Sequence, residues 1–123
     1  MSDYKKDAVE FLRMVVASDI EEAFEKYVDM GGKHHNPFCP AGFEGLKKGM
    51  IENDAQFPHK NFMVKHVLGD GDLVSVHSYL VLKPGELELA TIHLLRFEKG
   101  KIVELWDCAQ SIPKDSPNRD GMF

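Results

Sequence analysis

His93 and Asp107 are the residues of this chain whose types and placement suit acid/base chemistry. They lie on the two arms of the segment Thr91 to Gln110, TIHLLRFEKGKIVELWDCAQ, which reads as a β-hairpin. Apolar and β-branched residues fill both arms, and Lys99-Gly100 supplies a tight turn with a glycine where φ must be positive. Register decides what the hairpin can do. A plain two-residue turn sets His93 opposite Trp106 and turns Asp107 to the other face, whereas a type I turn with a glycine bulge pairs His93 with Leu105 and Thr91 with Asp107. The bulged register is preferred. It gathers Thr91, His93, Leu95, Val103, Leu105 and Asp107 on one face and leaves Arg96 and Glu104 as diagonal neighbours on the other. A carboxylate partly withdrawn from water beside an imidazole can take and return a proton near neutral pH.

Other polar candidates sit in the stretch His34-His35-Asn36-Pro37. Asn before Pro favours an extended turn, which can aim one imidazole, His35 beside Asn36, into a cavity mouth as a polar anchor. Phe38, Phe57, Phe97 and Leu105 are available as its apolar wall. His77 shares a row with Leu73, Ser75 and Tyr79, opposite Val74, Val76 and Leu80, and is read as lying on an outer sheet surface. Metal binding is not expected, because no HxH or HExxH spacing groups ligands on one element. Neither GxSxG, a P-loop nor GxGxxG occurs, which argues against common serine-hydrolase and nucleotide sites.

The elements that must carry these residues fall into two blocks. Ala8, Phe11, Leu12, Val15 and Val16 line one side of a first helix over residues 3 to 17. Ser18 and Glu21 have the spacing of a capping box for a second helix bearing Ile20, Ala23, Phe24, Tyr27 and Val28, which Gly31-Gly32 stops. A loop over 33 to 42 leads to a third helix at 43 to 57, with Leu46, Met50 and Ile51 inward and Gly45 and Gly49 weakening it. From Lys60 the period becomes two. Phe62, Val64, His66 and Leu68 alternate with Met63, Lys65 and Val67, and turns at 69 to 72 and 83 to 86 separate the strands that follow. The expected fold is α+β, with three N-terminal helices on the concave face of a curved antiparallel sheet of at least four strands. Residues 1 to 112 read as a single domain, and 113 to 123 as an extended or mobile tail.

With 123 residues, one core suffices. A net charge of −5 offers no footprint for nucleic acid or an anionic membrane, so neither partner is expected. Cys39 and Cys108 match no metal or redox spacing and read as reduced thiols. With no apolar signal core near the start, the expected location is cytoplasmic.

Taken together, the order of elements, the stretch HHNPFCPAGFEGLKKGM at 34 to 50 and LLRFEKGKIVELWDCAQ at 94 to 110 resemble the SnoaL-like proteins of the nuclear-transport-factor-2-like superfamily. The resemblance implies a cone-shaped cystatin-like fold, a homodimer through the outer sheet face and no cofactor. It also implies proton abstraction next to a carbonyl, as in polyketide cyclases that close a ring by aldol condensation, on a small apolar carbonyl-containing molecule. The family's acid/base aspartate is matched by Asp107, and its loop histidine and asparagine by His35 and Asn36. Many relatives carry Asp where this chain has His93, and His where it has Leu105, so one carboxylate and one imidazole remain on the hairpin. The rival expectations are a non-catalytic ligand-binding or dimerisation module, and a hydratase or dehydratase needing a positioned water.

Overall fold

Asp3 opens the first helix by accepting a hydrogen bond from the Lys6 N–H at 3.3 Å, which satisfies one of the unpaired donors of the first turn. The computed structural model describes residues 3–123. Helix α1 (Tyr4–Val16) buries Ala8, Phe11 and Leu12, and helix α2 (Ile20–Tyr27) buries Ile20, Ala23, Phe24 and Tyr27. The expected capping box does not form. Ser18 closes α1 at a φ of 75°, outside the extended conformation an N-cap needs, and its hydroxyl donates to Asp54 at 2.7 Å instead.

After Tyr27 the chain enters a strand, β1 (Val28–His34), where the second helix was expected to run on to Gly31-Gly32 and a loop to begin at 33. Helix α3 (Gly42–Gln56) follows, then β2 (Asn61–Asp70), β3 (Leu73–Lys83), β4 (Leu87–Glu98) and β5 (Lys101–Ser111). The sheet therefore has five strands in the order β1-β5-β4-β3-β2, antiparallel except that β1 runs parallel to β5. All three helices are present, but β1 separates α3 from the first two. Its sequence, VDMGGKH, has no β-branched alternation, and it becomes a strand because the edge of β5 accepts it. Gly32 permits the approach: a Cβ there would stand 2.2 Å from the Val103 carbonyl oxygen.

The β4–β5 hairpin combines the two registers weighed above. Lys99 and Gly100 both have positive φ, 51° and 81°, as a two-residue type I′ turn requires. A bulge in β5 at Val103 then shifts the pairing, so that Leu95 faces Leu105, Arg96 faces Glu104 and His93 faces Asp107. The inward row is as expected for His93, Leu95, Leu105 and Asp107, but the pairing of His93 with Leu105 and Thr91 with Asp107 is not. A second bulge, between Val64 and His66, turns His66 outward beside His77, leaving Phe62, Val64 and Val67 packed against the core. His77 lies on the outer face as expected, its ring stacked on that of His66 with centroids 5.2 Å apart.

The core fills the space between helices and inner sheet face, where Phe11, Phe24, Phe43, Val76, Leu95 and Ile102 are fully buried. Phe24 makes edge contacts with Phe11 and Phe43. Two inward polar residues, Ser78 and Thr91, satisfy each other through a 2.6 Å hydroxyl hydrogen bond. Residues 113 to 123 form no helix or strand, and the Phe123 ring lies against His77 and Tyr79 on the outer face.

Candidate active site

An inward cavity of about 580 Å³ opens between α1, α3 and the sheet. Its wall is mostly apolar, from Leu12, Val15, Val16, Met50, Leu80 and Leu89, with His93, Asp107 and Asn36 among its polar members. His93 and Asp107 are direct cross-strand partners, which places their Cβ atoms roughly 5 Å apart.

The carboxylate is held from the loop after β1. Asn36 accepts the Phe38 N–H on its amide oxygen at 2.8 Å, so its Nδ2 must be the atom that faces Asp107, donating to Oδ2 at 3.0 Å. His34, buried on the inner side of β1, steadies this loop. Its Nδ1 accepts the Asn36 N–H at 3.0 Å, so the ring hydrogen is on Nε2 and is donated to the Pro40 carbonyl at 2.7 Å. The result is a chain of hydrogen bonds from Pro40 through His34 and Asn36 to Asp107.

His93 is different. Its Nδ1 is buried without a hydrogen-bond partner. Burial pushes the imidazole below its ordinary value of 6.5, and the nearby Asp107 charge only partly opposes this. The ring is therefore neutral at physiological pH and carries one N–H donor and one acceptor. Cys39, also on the cavity wall, has its thiol pushed up by burial and then by the charges of Asp107 and Glu52, which suits an unreactive thiol. Both Cys39 and Cys108 are free.

Several residues expected at the site lie elsewhere. His35 is on the outer side of the sheet, stacked on Trp106 and paired with Glu104 at 2.7 Å, because His34 pairs with inward Leu105 and alternation turns the next residue out. This contact, with Arg96, holds the Glu104 carboxyl below its usual range. Phe97 and Leu105 share the inward row but are sealed in the core at the other end of the strands, Phe97 beneath the Tyr4 ring. Phe57 ends α3 and does not line the cavity. Phe38 does line it, at the rim, and is 92% exposed as a residue. The sequence reading missed Leu89 and Ala109 as lining residues, although their parity with His93 and Asp107 was a usable signal. Lys60 and Cys39 had no comparable one. Among the described residues no group of three or more metal-ligating side chains converges.

The family model described as SnoaL-like domain matches residues 8–105. This chain belongs to that family. Among solved structures, the SnoaL-like domain is similar to a candidate polyketide cyclase from Streptomyces antibioticus, at 20% identity and a TM-score of 0.70, covering 86% of this chain and 91% of that one. A candidate polyketide cyclase from Acidithiobacillus ferrooxidans shares 21% identity, with a TM-score of 0.71 over 89% of this chain and 92% of that one. A candidate hydroxylase from Streptomyces galilaeus shares 20%, with a TM-score of 0.73 over 86% and 87%. At these identities the likeness shows the fold alone. No curated protein matches the sequence significantly. No described helix of the SnoaL-like domain is long and apolar enough to cross a membrane.

The neutral His93 has a consequence for stability. The unfolded chain takes up this proton near pH 6.5, whereas the folded chain resists it, so the unfolded state binds more protons in acid. Stability is then complete above that pH and falls below it, by up to about 1.4 kcal/mol per pH unit from this group. Thermal unfolding at about pH 7.5 and about pH 5.5 should show a smaller acid loss for His93→Gln than for the wild type. Equal losses would mean that His93 takes up its proton in the folded state.

Proposed function

We propose that this SnoaL-like domain is a cofactor-independent enzyme that abstracts a proton next to a carbonyl on a small apolar, polyketide-like molecule. The observation that carries the reading is the direct pairing of Asp107 with a neutral, buried His93 on the wall of an apolar cavity. Asp107, with one oxygen tied to Asn36, takes the proton from the carbon and the electron pair moves onto the carbonyl oxygen. The single N–H of His93 stabilises the resulting enolate. In an aldol closure the enolate carbon then bonds to a second carbonyl carbon of the same molecule. The new alkoxide recovers the proton from Asp107, so the site ends as it began.

The cavity volume supports a ligand-handling role over pure assembly, since it falls within the roughly 300–1,000 Å³ usual for small-molecule sites. The outer sheet face, where Ile92 is 50% and Leu68 is 69% exposed, is the proposed surface for a homodimer. The deciding experiment is solvent deuterium incorporation, followed by NMR, into cyclic and linear ketones and β-keto esters. Exchange catalysed by the wild type and lost with Asp107 is the expected result. Exchange on none of these scaffolds by folded protein would turn the reading toward ligand binding without chemistry.

A further inference from the structure

The cavity wall carries a charged donor that the proton-transfer scheme does not use. Lys60, immediately before β2, lines the cavity with its side chain only 5% exposed. A lysine this far withdrawn from water needs partners. Its ammonium donates to Asp54 and, at 3.1 Å, to the Phe57 carbonyl. Asp54 is held in turn by Ser18, and the hydrogen bonds from Lys60 and Ser18 keep its carboxyl below the usual range. An ammonium has three N–H donors, and these two partners leave the third without one among the described residues. Lys60 is the one lysine or arginine on that wall, while Glu52 and Asp107 are its carboxylates.

Its position limits what that molecule can be. Lys60 leads into β2 and Asp107 sits on β5, with β3 and β4 between them. At ordinary strand spacing β2 and β5 lie roughly 14 Å apart, and the register adds an offset along the strands, since Asp107 is level with Val67 and not with Asn61, so no compact carbonyl compound touches both. We infer that Lys60 anchors a carboxylate or phenolate oxygen at the end of an elongated, largely apolar ligand, remote from the carbon that Asp107 deprotonates. This rests on the cavity being the substrate site proposed above. A neutral carbonyl oxygen fits the same donor, but an anionic oxygen adds the attraction between opposite charges, which apolar walls screen less than water does, and within those walls an anion needs such a partner. Lys60 thereby selects acidic ligands over neutral ones of the same shape.

The test uses two fluorescent probes of one shape, anthracene-2-carboxylate and anthracene-2-carboxamide, titrated into wild type, Lys60→Met and Lys60→Arg. The wild type is expected to bind the carboxylate about tenfold more tightly. Lys60→Met should lose that preference by weakening the carboxylate alone, and Lys60→Arg should keep it. Lys60→Gln replaces the methionine variant if thermal unfolding shows the latter unfolded. Equal affinity of the two probes for wild type overturns the inference, as does binding of neither. Equal weakening of both in Lys60→Met also overturns it and leaves Lys60 as a structural partner of Asp54. Because no turnover is involved, these outcomes stand apart from the deuterium experiment, which can fail or succeed independently.

Discussion

Asp107→Asn should lower enzyme-catalysed deuterium incorporation by about 10²–10⁴-fold, the usual contribution of a positioned general base. The substitution keeps the size of the side chain and removes its ability to take a proton, so a loss of this order isolates the chemistry from the packing. The cavity is otherwise left as it was, with His93 opposite and the apolar wall intact. Binding of a carbonyl ligand should therefore change far less than exchange. The control is His93→Gln, which retains an N–H donor near the oxygen and should cost less than loss of the base. Full exchange by Asp107→Asn on a scaffold the wild type turns over would remove Asp107 from the mechanism.

Gly45→Ala should destabilise the protein by about 1–3 kcal/mol, as overpacked sites do. The sign makes this informative, because glycine to alanine inside a helix ordinarily stabilises by about 0.5–1 kcal/mol. Here a Cβ would stand 2.1 Å from the Pro40 carbonyl oxygen and 2.6 Å from its carbon, both backbone atoms that cannot rotate away. Either α3 lifts or the loop after β1 moves. The same carbonyl oxygen accepts the His34 Nε2 hydrogen, and His34 supports Asn36, which holds Asp107. Exchange activity should consequently fall at temperatures where the variant is still folded. Thermal unfolding and exchange assays on one preparation check both parts, and an unchanged or raised Tm would show that α3 yields without cost.

This glycine also shows how far the sequence could be read. Gly45 and Gly49 look like weaknesses in α3 when only helix propensity is considered. In the folded chain they are the positions where α3 presses on the loop, Gly45 on Pro40 and Gly49 on the Cys39 thiol, where an added Cβ would stand 2.5 Å from sulfur. Propensity is local, and the contact is not. His35 was misplaced for a related reason. Without β1, a loop histidine next to Asn36 can point anywhere; with β1 paired to β5, His34 turns inward and His35 outward.

What the sequence determined by itself is whatever short-range periodicity encodes: three helices, the four later strands, the hairpin turn, and the inward parity of His93 and Asp107. Parity survived an error in register because the expected and observed pairings differ by two residues, and a shift of two leaves every side chain on its face. Tertiary structure decided the rest. The bulge at Val103 set His93 directly opposite Asp107, the edge of β5 made a strand of VDMGGKH, and helix packing chose which stretch of the inward row became core. Phe97 and Leu105 were closed over, while His93, Asp107 and Lys60 were left on a cavity wall. Such choices depend on contacts between residues far apart in the chain, whose geometry no local pattern contains.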